Sequence, residues 1–250
     1  MVVVVNAPAP ALDLGVNNFS RAFAALGALS FCSLEPQFCQ VESGRIKAVA
    51  PRAGAYGLTL APASVGPAPV VTSSGHAGGK SSQAENRSLL CLTPITQASF
   101  AVGMIWNNDS PIATSQDVMA IDSFSTQGLR LVSTGYRLQV QRGSTIILQS
   151  DPIFNIAGPT MAIISRSGGS LRLLARQAGQ PLQDLAATYD PAFTAALDVV
   201  YGAAEAAAPA TARSLRDTML DTWVFNRGIL ASVEDPARLL ALDYYSEVYG

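Results

Sequence analysis

The stretch from 99 to 176 limits what this chain can fold into more than any other. Phe100, Val102, Met104 and Trp106 alternate with Ala101, Gly103 and Ile105, the two-residue period of a strand with two distinct faces. Asn107-Asn-Asp-Ser-Pro111 follows as a turn cluster. Leu129-Arg-Leu-Val132, a turn at Ser133-Thr-Gly135, and Tyr136-Arg-Leu-Gln-Val-Gln141 read as a hairpin. Its core-facing side is expected to hold Leu129, Leu131, Tyr136, Leu138 and Val140, with Arg130, Arg137, Gln139 and Gln141 toward solvent. A second hairpin runs from Thr160 to Ser165, turns at Arg166-Ser-Gly-Gly169, and returns from Ser170 to Arg176. Short strands punctuated by turns, with few helical patterns, argue for a mainly β fold, an antiparallel β-sandwich.

The chain closes in the same style. Leu220, Thr222 and Val224 alternate with Asp221, Trp223 and Phe225, and Asn226-Arg-Gly228 breaks the strand. Ser232, Glu234, Asp235 and Pro236 then supply a helix start. The helix is expected to run from Ser232 to about Tyr245 and to pack through Leu239, Leu240, Tyr244 and Val248. The tyrosines 244, 245 and 249 either pack with it or form a binding patch. Ala195 to Tyr201 reads as one more strand. Residues 1 to 30 differ from the rest, with a stiff Asn6-Ala-Pro-Ala-Pro10 and then an alanine-rich stretch. There Phe19, Phe23 and Leu26 share a helical face. This arm either docks on a neighbouring subunit or packs on its own domain.

Composition narrows the function classes. Hydrophobic residues make up 49% of the 250 and charged residues only 14%, which argues for a well-buried core and against disorder. A net charge of −2 gives no electrostatic reason to bind nucleic acid or an anionic membrane. Neither partner is expected. The N-terminus lacks the basic and long apolar regions of a signal peptide, and no apolar run reaches the roughly 18 residues of a membrane span. Cys32, Cys39 and Cys91 are odd in number and do not make a disulfide framework. Cys32 and Cys39 either pair across a loop or remain thiols.

An ordered set of features carries a resemblance. Gly44-Arg-Ile-Lys-Ala-Val49 leads to Arg52-Ala-Gly-Ala-Tyr-Gly-Leu-Thr-Leu60 and then Pro62. The Phe100 strand, the hairpins with Gly168-Gly169, and the closing strand, Asn-Arg turn and acidic helix follow in order. Over roughly residues 40 to 243 the chain resembles the laminin-G-like domains of phage and bacterial surface proteins, within the concanavalin A-like lectin/glucanase class. It departs from them at Pro159-Thr-Met161, where a tryptophan is common, and at Leu174 to Gly179, where an Asn or Asp is missing. The resemblance implies a jelly-roll, concanavalin A-like sandwich over residues 31–250, with an N-terminal arm over 1–30, a possible assembly contact, and a C-terminal helix. It further implies a non-enzymatic virion surface component, a phage fibre, spike or decoration protein. Its expected partners are other virion proteins, further copies of itself and host-cell surface glycans. The alternatives are a purely structural virion protein and a glycan-degrading enzyme.

The residues argue against catalysis on this reading. Retaining glycosidases place two carboxylates about 5–5.5 Å apart, which on one strand would read Glu-x-Asp-x-Glu. That motif is absent, and Glu35, Glu42, Glu85, Glu205, Glu234 and Glu247 are isolated. Asp217 and Asp221 are expected to be solvent-facing charges. His76, the single histidine, lies in a Gly/Ser loop with nothing to orient it for a triad. Gly79-Lys80-Ser81 matches only the end of a phosphate-binding loop. No catalytic residue is therefore expected. A sugar site would need an aromatic face and polar groups for hydroxyls. Trp106, Asn107, Asn108 and Asp109 are the candidates, the alternative being a polar turn with Trp106 in the core. Asp117 and Asp122 are candidate oxygen ligands for calcium, and no other cofactor is expected.

Overall fold

A computed structural model describes residues 14–60, 70–71, 77–78, 89–95, 99–108, 115–122, 128–190, 197–202 and 215–250. In chain order the elements begin with α1 (Leu14–Ala25), β1 (Ala28–Ser33), β2 (Cys39–Glu42), β3 (Arg45–Val49), β4 (Ala53–Gly54) and β5 (Leu58–Leu60). They continue with β6 (Val70–Val71), β7 (Ala77–Gly78), β8 (Leu89–Ile95), β9 (Ser99–Asn108), β10 (Gln116–Ile121) and β11 (Leu129–Thr134). After these come β12 (Arg137–Arg142), β13 (Thr145–Gln149), β14 (Gly158–Ser167), β15 (Ser170–Gln177) and β16 (Gln183–Thr188). The chain ends with β17 (Leu197–Tyr201), β18 (Thr218–Phe225) and α2 (Pro236–Val248).

Antiparallel pairing sorts the strands into two layers. The first runs β4-β1-β18-β9-β14-β15-β16. The second runs β2-β3-β5-β8-β17-β10-β11-β12-β13. The short strands β6 and β7 bridge from β3 to β18, so hydrogen bonding is continuous through both layers. The mainly β, antiparallel sandwich expected from the sequence is what the chain adopts, with a helix near each end.

The period-two alternation serves two cores rather than one. Phe100, Val102, Met104 and Trp106 of β9 point between the layers and meet Val118, Leu131, Leu138, Val140 and Val199 of the second layer. The intervening Ala101 and Ile105 point outward, with Met161, Ile163, Trp223 and Phe225, into a second cluster roofed by α1 and α2. The first layer is thus largely apolar on both faces, which is why β9 reads as a near-continuous hydrophobic run from Phe100 to Trp106. Gly103 and Trp223 are cross-strand partners, and a Cβ at Gly103 would fall 2.1 Å from the Trp223 ring. The indole occupies the space that the glycine leaves.

Both helices pack on this roofed face. Phe23 of α1 is fully buried, stacked on Phe31 at 4.3 Å between ring centroids and set edge-on to Tyr244 at 5.9 Å. The N-terminal helix therefore packs on its own sandwich, and β1 begins within the segment read as an arm. α2 starts at Pro236 rather than Ser232 and ends at Val248 rather than Tyr245, because Asp235 is the residue that caps it. The Asp235 carboxylate accepts from the amides of Ala237 (2.9 Å) and Arg238 (3.4 Å), with Pro236 in the first turn. Arg227 clamps the same carboxylate through both of its terminal nitrogens, at 2.6 and 3.2 Å. Partial burial opposes ionisation there, but Arg227 and the cap amides outweigh it and hold the Asp235 carboxyl below its usual range.

Three facing expectations are corrected. Leu239 and Val248 are exposed, and α2 instead buries Ala237, Arg238, Ala241, Tyr244 and Tyr245. That stripe, at spacings of four and three to four, is rotated from the one expected. Tyr136 is exposed rather than core. Both Gly135 (φ 55°) and Tyr136 (φ 63°) are left-handed, a two-residue turn whose twist matches that of the strands. Consequently Ser133 and Thr134 belong to β11. Gln139 and Gln141 are buried although they lie on the outer side of the second layer.

The Gly103–Trp223 contact makes a direct stability test. Gly103→Val is expected to destabilise the fold by about 3 kcal/mol, the upper range for overpacking a closed core. Gly143→Ala has a left-handed φ and open space around its Cβ, and is expected to cost only about 1–2 kcal/mol. Urea unfolding of the two variants measures the difference; equal midpoints would mean that the indole does not need the glycine.

Candidate functional site

The outer face of the second layer carries the polar side chains that a packing role does not explain. Val199 and Ile121 fill the inner core, so strand alternation sends Asp198 to the outer side. Asp122 adjoins it at the end of β10, with φ 55° and its amide donating to the Asp198 carbonyl at 2.9 Å. Asp117 lies further along β10, where the register shifts against β11, 3.8 Å from the Arg130 guanidinium. All three aspartates are at least 95% buried, at 5%, 2% and 0% relative exposure for 198, 122 and 117.

From Arg130 a hydrogen-bonded ladder crosses three strands. The Arg130 guanidinium donates to the Gln141 side-chain oxygen (3.3 Å) and to the Gly143 carbonyl (2.6 Å). The Gln141 amide donates to Gln139 (2.5 Å), and the Gln139 amide donates to Gln149 (2.6 Å). Each amide uses one end as donor and the other as acceptor, so the row is fixed in a single direction. At its far end Gln149 is exposed. This face can offer donors and acceptors to the hydroxyls of a bound molecule, next to carboxylates.

A separate set of polar groups lies toward the first layer. Gln116 donates to the Asp217 carboxylate at 2.8 Å and accepts from the Arg216 amide at 3.0 Å. Asp217 is 2% exposed, tied to β10 rather than solvated as expected. Asp221 is fully buried beneath α2, where Tyr244 donates to it at 3.0 Å and Tyr249 donates to the same oxygen. Burial pushes its carboxyl above the usual range, while hydrogen bonds from Tyr249, Ser33 and Tyr244 and the charge of Arg52 pull the other way. The tyrosines 244 and 249 are therefore packing and anchoring groups, and burial raises both phenols. Cys32 and Cys39 are free thiols, pushed up by burial to about 11 and about 12.

The candidates read from the sequence do not converge. Trp106 is 2% exposed with its ring in the inner core, so its face is not open to a sugar. Asn107 is paired within the first layer, opposite Pro159 and Thr218. Asn108 turns inward and donates to the carbonyls of Phe154 (3.3 Å) and Ile156 (3.2 Å), pinning the loop before β14. Asp109, His76 and Glu205 lie outside the described residues. Asp117 and Asp122 do share the outer side of the second layer, but among the described residues no three His, Cys, Asp or Glu side chains gather as a metal site. Asp198, Gln139 and Gln141 were missed. The signal for Asp198 was available, a lone carboxylate inside the apolar run Leu197-Asp-Val-Val-Tyr201. The glutamines gave none, because an amide suits solvent and a buried ladder equally.

No protein-family model matches the chain, and no curated protein matches it. Solved structures do share its fold. A sialidase from Trypanosoma rangeli superposes with a TM-score of 0.53 at 10% identity, over 89% of this chain and 33% of the sialidase. A GH54 α-L-arabinofuranosidase soaked with a cyclic sulfate inhibitor gives 0.58 at 8% identity, over 93% of this chain and 66% of the enzyme. The chain thus spans a third of the one and just under two thirds of the other. These matches overturn the expectation of a non-enzymatic virion component that attaches to host glycans, because the structures sharing the fold are glycan-degrading enzymes. The coarse part of the sequence resemblance, a mainly β sandwich, stands.

The buried Asp221 generates a pH test. A carboxyl whose folded pKa is raised contributes stability that is fully present below the unfolded value of 3.8 and is lost as pH rises through the folded value. Asp221→Asn mimics the protonated state. The melting temperature of the wild type relative to that variant is expected to rise as pH falls from 7 toward 4. A constant difference across that range would show that the carboxyl does not titrate abnormally.

Proposed function

We propose that the chain is a carbohydrate-active β-sandwich domain that handles a glycan over the outer face of the second layer, with Asp122 and Asp198 as the carboxylate pair that acts on a glycosidic bond. The observation that carries this reading is the burial of Asp117, Asp122 and Asp198 on that face. Burying a carboxylate costs free energy unless it is compensated, and neutral side chains would pack a sheet face without that cost.

Geometry supports the pairing. The Asp122 amide donates to the Asp198 carbonyl at 2.9 Å, so the two residues adjoin where β10 ends beside β17, and retaining glycosidases act through two neighbouring carboxyl groups. In that chemistry one carboxylate attacks the anomeric carbon while the other protonates the leaving oxygen. The second then takes a proton from the water that releases the sugar. The Arg130–Gln141–Gln139–Gln149 ladder would meet the sugar hydroxyls. The sialidase and arabinofuranosidase names of the superposable structures add support as analogy of fold, which by itself does not imply function.

A panel of 4-nitrophenyl pyranosides and furanosides tests the reading. Release of 4-nitrophenolate is expected from at least one member, with a drop of about 100-fold or more in kcat for Asp122→Asn and for Asp198→Asn, on the order of losing one acid–base partner. Gln139→Ala is expected to raise KM more than it lowers kcat. If the folded protein releases nothing from any member, or both Asn variants keep full activity, the reading fails.

A further inference from the structure

Where the edge strands β13 and β16 of the two layers approach each other, a shallow depression of about 350 Å³ opens, lined by Arg142, Gly143, Ser144, Thr145, Ile147 and Tyr189. It lies outside the aspartate and glutamine rows described above. The volume falls within the roughly 300–1,000 Å³ typical of small-molecule sites.

We propose that this depression binds an acidic sugar unit, a polyhydroxylated ring bearing one carboxylate or sulfate, with Arg142 as the anion partner. Arg142 takes part in none of the ion pairs that occupy Arg130, Arg166, Arg172, Arg227 and Arg238 among the described residues. Its planar fork of donors matches a carboxylate or a sulfate. Arg142 lies beside the Tyr189 phenol, which burial raises and which the charge of Arg142, its hydrogen bond to the phenol and the charge of Arg166 draw back.

The remaining groups suit a sugar ring. Tyr189 and Ile147 offer an apolar wall, which is what the hydrogen-bearing side of a sugar packs against. Ser144 and Thr145 are exposed on the turn into β13, and their hydroxyls both donate and accept. The turn does not drift, because its Gly143 carbonyl accepts from Arg130 at 2.6 Å. Tyr189 is held by its amide, which donates to the Gly169 carbonyl at 2.8 Å. Asp190 follows immediately, but Arg166 pairs with it at 2.7 Å, so its charge is matched and Arg142 sets the sign of the site.

The site rests on the glycan reading only for the choice of probes. Titration of the full chain with D-glucuronic acid, D-glucose 6-sulfate and D-glucose, followed by NMR chemical shifts, measures the charge preference directly. Either acidic sugar is expected to bind at least tenfold more tightly than glucose. The one that does so identifies a carboxylate or a sulfate as the anion. Arg142→Gln is expected to abolish the preference, Arg142→Lys to retain part of it, and Tyr189→Leu to weaken all acidic probes. Arg137→Gln, a charge change of the same size on the same strand, is expected to leave the preference intact. Equal binding of glucose and the acidic sugars, or a preference unaffected by Arg142→Gln, would overturn the site. Loss of turnover in Asp198→Asn with the acid preference kept would separate this depression from the aspartate pair. No turnover at all, with the preference intact, would defeat the hydrolytic reading and leave this one standing.

Discussion

The Trp223 indole lies where a side chain at Gly103 would be, in the middle of a layer that is largely apolar on both sides. Much of the architecture follows from that contact. A flat, deep aromatic surface on the outer side of β9 and β18 cannot face water, and α1 and α2 cover it with Phe23, Tyr244 and Tyr245. The roof is aromatic because rings stacked or set edge to face fill a broad, shallow space with few rotamers. Phe23, Phe31, Trp223, Phe225 and Tyr244 form one connected group of this kind.

The two layers treat their outer sides differently. On the roofed side Asp221 is buried and accepts from the hydroxyls of Tyr244 in α2 and of Tyr249 just after it. It holds the C-terminal helix to the sheet. On the outer side of the second layer no described helix covers the strands, yet Asp117, Asp122 and Asp198 are buried and the glutamines bond to one another in a row. A network whose members are each satisfied is rigid. Rigidity with preset donors and acceptors is what recognition of a polyhydroxylated ligand requires.

Sharing a fold with glycosidases at 8–10% identity places few individual residues in correspondence. A β-sandwich hosts many activities, and function belongs to the side chains placed on it. In the function proposed above those are the aspartates and amides on and beside β10, β12 and β17. The residue pattern of an aromatic beside Asn and Asp pointed to the end of β9 instead, and there Asn108 ties to the carbonyls of Phe154 and Ile156 while Trp106 fills the core.

The sequence by itself determined what depends on near neighbours. Period-two alternation placed β9, β12, β14 and β15, and Phe100, Val102 and Met104 all share one face as the pattern requires. The capping residues between Ser232 and Pro236 announced α2, because a cap needs only amides two and three residues away, but Asp235 rather than Ser232 caps it. Alternation divides a strand into two faces but does not say which of them is dry. Only the tertiary structure decided that Asp221 lies under a helix, that Gln139 and Gln141 are buried, and that Asp122 and Asp198 are neighbours. Burial is set by what packs on a face from distant parts of the chain. Asp122 meets Asp198 across 76 residues through the pairing of β10 with β17, and no local rule carries that information.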